Sequence, residues 1–586
     1  MMPERPWFKH WPEGVPRSLE YPKTTLDTLI RDAAGDFPES PATNFNGRII
    51  TYGQFDSMVD TFAAGLQAIG VARGDKVSPL MTNCPQAVMT YLGVLRAGGI
   101  IVQADPMQSQ SELATLYNDT GTETVVILDF LLGKVLRIKD DTRLGNIVMT
   151  DAAEWLQPME RPLFQLRKKT LGERLGGGAK VVVPKEPWMH SFEEMTLDSP
   201  RHPRNVGVTH DDVAVLQFTG GTTGTPKCAM LTHANLMANA CQTAAWLPDA
   251  KPGKEVFLSL VPFSHSYGLT TAMLAPIRLA AAMVMRLNHT VSVTTSELAH
   301  ATKATIFPGV PAQFAAIVRD PEACKHEISS IRVCISGSAP LPPDVRRKFE
   351  EAMGAHLVEG YGLTEASPVT HCNPFFGLAK DCIGIPYPDT DAKIVDIETG
   401  LAEMPVGEVG ELAVSGPQVM KGYFNKPDET AVVMRGLFLL TGDIALMDND
   451  GYFHIVDRKK DMLICGGLKV YPREIEKTIL EHPAVEECAV VGIPDDLRGN
   501  VPIAFVVLRK GSEDAGDEVI AFTDGRVAVW KRPMAYIFVP ALPKTPVGKV
   551  LKRDLQERAI RDRITRGGTS PSRSPRSPLR LDRRPC

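Results

Sequence analysis

The densest chemistry in the sequence is the run Thr219-Gly220-Gly221-Thr222-Thr223-Gly224-Thr225-Pro226-Lys227, which directly follows the apolar stretch Ala214–Phe218. Its glycines let the backbone approach a ligand closely, and consecutive N–H groups can form an anion-binding nest. The threonine hydroxyls add neutral donors and Lys227 adds a positive charge, a set suited to the β- and γ-phosphates of a nucleotide. The spacing is not GxxxxGK[ST], because Thr225-Pro226 separates Gly224 from Lys227.

Further short runs rich in Gly, Ser, Thr and charged residues follow in order. They are Val261-Pro-Phe-Ser-His-Ser-Tyr-Gly268, Ser336-Gly-Ser-Ala-Pro340, Tyr361-Gly-Leu-Thr-Glu365, Thr441-Gly-Asp443 with Arg458, and Pro543-Lys-Thr-Pro-Val-Gly-Lys549. Together with the first loop they resemble the signatures of the adenylate-forming (AMP-binding) ligases. That resemblance covers roughly residues 20–560. Within the superfamily the chain looks most like bacterial long-chain fatty-acid–CoA ligases, through the Thr-Gly-Gly loop opening, the run Leu440–Lys460 and the opening Pro6–Pro16. Two departures are Cys228, where the family commonly has Gly, and Phe438, where it commonly has Trp. Neither removes a charge or a phosphate donor.

The resemblance implies ATP, Mg²⁺ and coenzyme A as co-substrates and cofactor, and a fatty acid as substrate. A carboxylate must attack the α-phosphorus although both partners are anionic, so catalysis is positioning plus charge neutralisation. By resemblance Thr219, Gly220, Gly221, Thr222, Thr223, Gly224 and Lys227 hold the phosphates, while Thr222 and Glu365 hold the metal. Tyr361 and Gly362 on one side and Gly337, Ser338, Ala339 and Pro340 on the other enclose the adenine. Asp443 accepts the ribose hydroxyls and Arg458 completes the nucleotide site. Lys549 bridges the acid and the α-phosphate, Thr364 reaches that phosphate, and His265 lines the acyl or acceptor path. Lys460 is the hinge, and Gly466 and Gly467 line the pantetheine path.

These groups need elements to hold them. Helical spacing over Tyr52–Leu66 and Gln86–Leu95 alternates with strand-like Lys76–Met81, Gly98–Ala104 and Glu123–Leu128, and the alternation resumes from Asp212 to Val369. This is the pattern of parallel sheet built from βαβ units, which bind ligands beyond the carboxyl ends of their strands. Residues 130–210 are less regular and read as a surface excursion, with the basic run Arg167-Lys168-Lys169 as a solvated face or an anionic-membrane contact. From Ala392 to Ile455 short strands and tight turns predict a β-rich subdomain, and a compact α+β pattern follows Asp457. The fold class is therefore α/β. The resemblance makes it a large N-terminal domain of two βαβ subdomains plus a distorted β-barrel, with a small mobile α+β C-terminal domain. The expected division is 1–459 for the AMP-binding domain, 460–560 for the C-terminal lid and 561–586 for a disordered tail. That tail holds eight Arg, four Ser and four Pro with almost no large apolar residues.

With 586 residues the chain exceeds a single core. A composition of 44% hydrophobic and 23% charged residues is that of an ordinary globular protein, and a net charge of −5 gives no hint of nucleic-acid binding. Ten cysteines without a CxxC pair point to a reducing compartment. No stretch offers the roughly 20 apolar residues of a membrane span. A cytoplasmic ligase is expected, with peripheral contact at the inner membrane face left open. The sequence leaves other readings open: an acyl-AMP ligase loading an acyl carrier protein, a medium-chain or aryl acid CoA ligase, or a silent acyl-binding protein. No carrier domain is recognisable after Lys549, which favours free coenzyme A, and the intact Lys227, Glu365, Asp443 and Lys549 argue against the silent protein.

Overall fold

The computed structural model describes residues 5–177, 183–197, 202–219, 227–286, 292–323, 329–495, 498–545 and 548–565. Among them the strands form four sheets. One has eight strands, in the order Gly422–Tyr423, Lys227–Thr232, Val213–Thr219, Ile100–Val102, Lys76–Leu80, Thr124–Leu128, Asn146–Thr150 and Met189–Ser191. Its strands from Val213–Thr219 onward are parallel, while Lys227–Thr232 turns back antiparallel. The parallel strands read as continuous apolar text because helices cover both faces; Thr124–Leu128 is buried at every position. A nine-stranded sheet repeats the plan, with a parallel centre running from His356–Gly362 through Val333–Ser336, Ile306–Gly309, Val256–Leu258 and Ala282–Met285 to Pro41–Phe45. One apolar cluster joins residues of both sheets.

The third sheet is five-stranded and antiparallel, spanning Asp391–Val395 to Phe453–Arg458, where the distorted barrel is expected. The fourth holds Leu463–Cys465, Leu468–Val470, Val485–Asp495, Gly499–Leu508 and Ala535–Phe538, with its own two apolar clusters. The chain is thus an α/β protein with a large N-terminal and a smaller C-terminal part.

Three expectations change. Residues 130–210 are not only a surface excursion: Asn146–Thr150 and Met189–Ser191 extend the eight-stranded sheet. Lys168 of the basic run is not solvated, since its Nζ pairs with Asp129 and lies 2.8 Å from Asp151 Oδ2. The last helix, Lys552–Thr565, runs five residues past the expected boundary at Ile560, because its charged residues favour helix as well as solvent. The rest of the expected tail, 566–586, lies outside the described residues. Among the described residues no helix is long and apolar enough to cross a membrane.

Candidate active site

Tyr361 lies near the end of the strand His356–Gly362 and Asp443 within Phe438–Met447, and the Tyr361 hydroxyl donates to Asp443 Oδ2 at 2.6 Å. Asp443 sits opposite Arg458 in antiparallel register, with Arg458 Nε 3.3 Å from Asp443 Oδ1. Thr441 fixes the turn by donating to the Leu412 carbonyl at 2.8 Å while its Oγ1 accepts the Asp443 N–H at 3.1 Å. Glu411 beneath it accepts the Gly442 N–H at 3.1 Å and Lys459 Nζ at 2.8 Å, which ties the connector to the sheet. Burial, reinforced by the Asp443 charge, raises the Tyr361 hydroxyl far above its ordinary range, so it stays a donor.

The Gly337 loop follows Val333–Ser336. A Cβ at Gly337 would fall 2.8 Å from the ring of Tyr267, whose hydroxyl donates to the Ile335 carbonyl at 2.8 Å. Ser338 has a positive φ of 68° and a buried hydroxyl without a protein partner among the described residues. Ala339 and the exposed Pro340 complete the loop. At Gly362 a Cβ would fall 2.0 Å from the Pro368 carbonyl oxygen, so only glycine fits. The next turn, Thr364–Ala366, carries Thr364, whose Oγ1 lies 3.4 Å from Ser266 Oγ, and Glu365, whose Oε1 accepts the Tyr423 hydroxyl at 2.8 Å.

Thr219 and Lys227 face each other across an antiparallel strand pair. Gly220, Gly221, Thr222, Thr223 and Gly224, and with them the Thr222 metal assignment, lie outside the described residues. Lys227 Nζ lies 2.5 Å from Glu429 Oε2 and 5.1 Å from the centre of the Tyr423 ring. The hydrogen bond to Lys227 lowers the Glu429 carboxyl. Tyr423 therefore touches both Lys227 and Glu365. Among the described residues no group of three or more His, Cys, Asp or Glu is placed to hold a metal.

Lys549 belongs to the C-terminal part, yet Arg458 and Asp443 of the N-terminal part act on it beside Lys460 and Asp461 of its own. Burial holds it below the usual lysine range, at about 8; the charges of Arg458 and Lys460 push the same way, and Asp443 and Asp461 oppose them. His265 lies within its field: burial first, then Lys549, lowers the imidazole to about 4. The ring caps the short helix Ser266–Leu269, with Nδ1 accepting the Tyr267 N–H at 3.2 Å. The Lys549 loop is braced by the Thr545 N–H donating to the Lys549 carbonyl at 2.8 Å and by the Lys549 N–H donating to Thr545 Oγ1 at 3.1 Å. Next to it, a Cβ on Gly548 would lie 3.7 Å from Ala312.

Pairwise links thus connect these residues: Lys549 with His265, Arg458 and Asp443, Arg458 with Glu365, Tyr361 with Asp443, Tyr423 with both Glu365 and Lys227, and Thr364 with Ser266 beside His265. Lys460 lies in the turn between Phe453–Arg458 and Leu463–Cys465, where the Asp461 and Met462 N–H groups both donate to the Arg458 carbonyl. Gly466 and Gly467 are not brought against these residues. They form the turn between Leu463–Cys465 and Leu468–Val470, where a Cβ on either would meet nothing within 4 Å. Sequence reasoning missed Tyr423, Glu429 and Glu411. None belongs to a quoted run, and only folding brings them to Lys227, Glu365 and Gly442.

The profile of the AMP-binding enzyme family matches residues 30–424, and that of the AMP-binding enzyme C-terminal domain matches 474–549. A long-chain-fatty-acid–CoA ligase of Bacillus subtilis (strain 168) is 42% identical over 565 residues, covering 95% of this chain and 98% of that protein. One from Escherichia coli O157:H7 is 33% identical over 567 residues, covering 94% and 98%. Among solved structures, ATP-bound MatB from Rhodopseudomonas palustris superposes with a TM-score of 0.76 at 28% identity, covering 91% and 98%. The anthranilate CoA ligase AuaEII in complex with anthranoyl-AMP gives 0.79 at 23% identity, covering 93% and 99%, a likeness of fold.

Proposed function

The chain belongs to the AMP-binding enzyme family, and from that premise we propose that it is an AMP-forming long-chain-fatty-acid–CoA ligase. In the first step a carboxylate oxygen attacks the α-phosphorus of ATP, and the bond to pyrophosphate breaks. In the second, the coenzyme A thiolate attacks the acyl carbonyl, a thioester forms and AMP leaves. The observation that carries this reading is Lys549, a C-terminal lysine in the same field as His265, Arg458 and Asp443.

Its ammonium neutralises the charge that gathers where carboxylate and α-phosphate meet, in a site where burial strengthens the interaction. Thr364 donates to the same phosphate. His265, neutral at physiological pH because its imidazole titrates near 4, lines the acyl path without repelling Lys549. Asp443 takes the ribose hydroxyls on the lone pairs that Tyr361 and Arg458 leave free. Thr219, Gly220, Gly221, Thr222, Thr223, Gly224 and Lys227 take the phosphates, with Lys227 exchanging Glu429 for pyrophosphate. The Gly337–Pro340 loop and Gly362 enclose the adenine, and the buried Ser338 hydroxyl, unpartnered among the described residues, bonds the nucleotide.

Mg²⁺ fits the donor set, since a hard cation bound through one or two carboxylates plus substrate phosphates is its usual mode. Glu365, with Thr222, would hold it, and it would neutralise phosphate charge. Residues 1–459 form the nucleotide-binding domain and 460–560 a lid turning at Lys460. The turn brings Gly466 and Gly467 to the pantetheine arm for the second step.

The test is pyrophosphate release across acids from acetate to oleate, with mass detection of the thioester. Long-chain acyl-CoA formed only when ATP and coenzyme A are both present is the expected result. Acyl-adenylate that builds up and is never released by coenzyme A would contradict it.

A further inference from the structure

The segment Pro6–His10 folds as a short 3₁₀ helix and lies against the turn at Asp448–Gly451. The fit is close: Gly451 has a φ of 83°, and a Cβ there would fall 2.3 Å from the Trp7 backbone nitrogen. Ion pairs tie the segment down. Arg5 pairs with Asp391, while Lys9 Nζ and His10 Nε2 lie 3.0 and 3.2 Å from Asp450 Oδ1. The turn is itself held, since Asp448 Oδ1 accepts the Asp450 and Tyr452 N–H groups and Lys380 Nζ lies 2.7 and 2.9 Å from the two carboxylates.

Trp7 is 1% exposed, and its ring begins a row that ends in the candidate nucleotide site. Ring centroids are 5.8 Å apart from Trp7 to Phe453, 4.8 Å from Phe453 to His371 and 5.8 Å from His371 to Tyr361. The last two contacts are edge to face, and both Phe453 and His371 are fully buried. His371 also stands opposite Tyr361 in antiparallel register. Burial lowers its imidazole to about 3, so the ring is neutral at physiological pH. Its Nδ1 meets only the adjacent Thr370 hydroxyl, at 2.9 Å, and its Nε2 has no protein partner among the described residues. Packing between Phe453 and Tyr361 therefore sets where the ring lies, and Trp7 backs Phe453.

We propose that the N-terminal segment is a positioning element of the nucleotide site, with Trp7 holding Tyr361 in place through Phe453 and His371. Tyr361 donates to Asp443, so a displaced ring disturbs the adenine face and the ribose carboxylate together. The inference rests on the reading of Tyr361 and Asp443 as the adenosine contacts, and it gives the opening of the chain a part in ATP binding. Trp7 and His371 touch no substrate and act only through Tyr361.

Acyl-CoA formation by the full-length protein is measured with ATP, fatty acid and coenzyme A each varied. Trp7→Leu should raise the KM for ATP at least roughly fivefold and leave kcat and the other KM values within about twofold. Trp7→Phe, which keeps a ring, should recover most of that loss. His371→Val suits a buried strand, removes a ring from the row and carries the same expectation as Trp7→Leu should that variant not fold. Trp11→Leu is the control, because its ring meets Phe8 and Trp246 instead: unfolding temperature should fall while the KM for ATP stays within about twofold. In a Tyr361→Leu background, Trp7→Leu should change that KM by less than about twofold, since the row has lost its end. A folded Trp7→Leu or His371→Val with the parent's KM for ATP, beside a raised one in Tyr361→Leu, would overturn the proposal and leave the reading of Tyr361 standing. An unchanged KM in Tyr361→Leu would remove that reading and the proposal with it. Equal shifts in Trp7→Leu and Trp11→Leu, or a kcat that falls in step, would also overturn it and reduce the segment to a brace of the fold.

Discussion

At the scale of single residues, the Tyr361–Asp443 bond holds the carboxylate that is proposed to take the ribose hydroxyls. Tyr361→Phe keeps the ring and removes the donor, leaving Asp443 with Arg458 alone. A hydrogen bond to a charged group contributes about 1.5–3 kcal/mol at most, and water partly replaces it here. The KM for ATP should rise roughly fivefold to tenfold, about 1–1.4 kcal/mol, with a smaller change in kcat. A steady-state ATP titration checks this. Lys549 gives a pH signature. Its group is lowered to about 8 and its proposed role is that of the cation, so activity should be present below that value and lost above it. The kcat/KM for ATP-dependent turnover should fall as pH rises through about 8, and Lys549→Arg should move that fall upward, since guanidinium keeps its proton. A profile flat to pH 10 in the parent would contradict the assignment. The charges at Lys227, Glu365, Asp443 and Lys549 were legible in the sequence because each closes or opens a short distinctive run. The Tyr361–Asp443 and Tyr423–Glu365 bonds were not, because they join residues 82 and 58 positions apart.

At the scale of elements, the connector Arg458–Asp461 is the proposed hinge between the two half-reactions. Glu411 anchors Lys459 to the N-terminal sheet, and the next residue begins the turn into the C-terminal one. Lys549 shares charge interactions with Arg458 and Asp443 while Gly466 and Gly467 have open space about them, so their proposed roles call for two orientations. A change of orientation is absorbed by a few backbone dihedrals, and proline fixes φ near −65° and restricts the residue before it. Lys460→Pro should leave acyl-adenylate formation near normal and slow coenzyme A-dependent release by at least roughly tenfold, about 1.4 kcal/mol. The check is a single-turnover pair: adenylate formed without coenzyme A, then its decay on adding it. The parallel strands were legible for a simple physical reason. A strand buried on both faces, such as Thr124–Leu128, must be apolar throughout. Met189–Ser191 was not, being three residues long and half-buried, with no period to read. Lys168 read as solvated because composition reports charge and not the Asp129 and Asp151 partners that folding supplies.

At the scale of the whole molecule, the last helix runs past the expected boundary at Ile560. Leu555 and Ala559 of the last helix are buried in the C-terminal core, and the helix continues to Thr565. A chain ending at Thr565 should keep its activity with dissolved fatty acid within about twofold, since each of the quoted runs lies before it. Ending at Ile560 should lower the midpoint of thermal unfolding, because it removes the last turn of that helix. The central claim is that one C-terminal lysine, reaching the N-terminal cleft, serves adenylation and not thioester formation. The most direct measurement compares Lys549→Ala with the parent in two assays, ATP-dependent turnover and turnover from supplied acyl-adenylate. Losing one preorganised charge donor costs about 3–4 kcal/mol, so the first should fall roughly 10²–10³-fold while the second stays within a few-fold. Equal slowing of both, in a folded protein, would contradict the account.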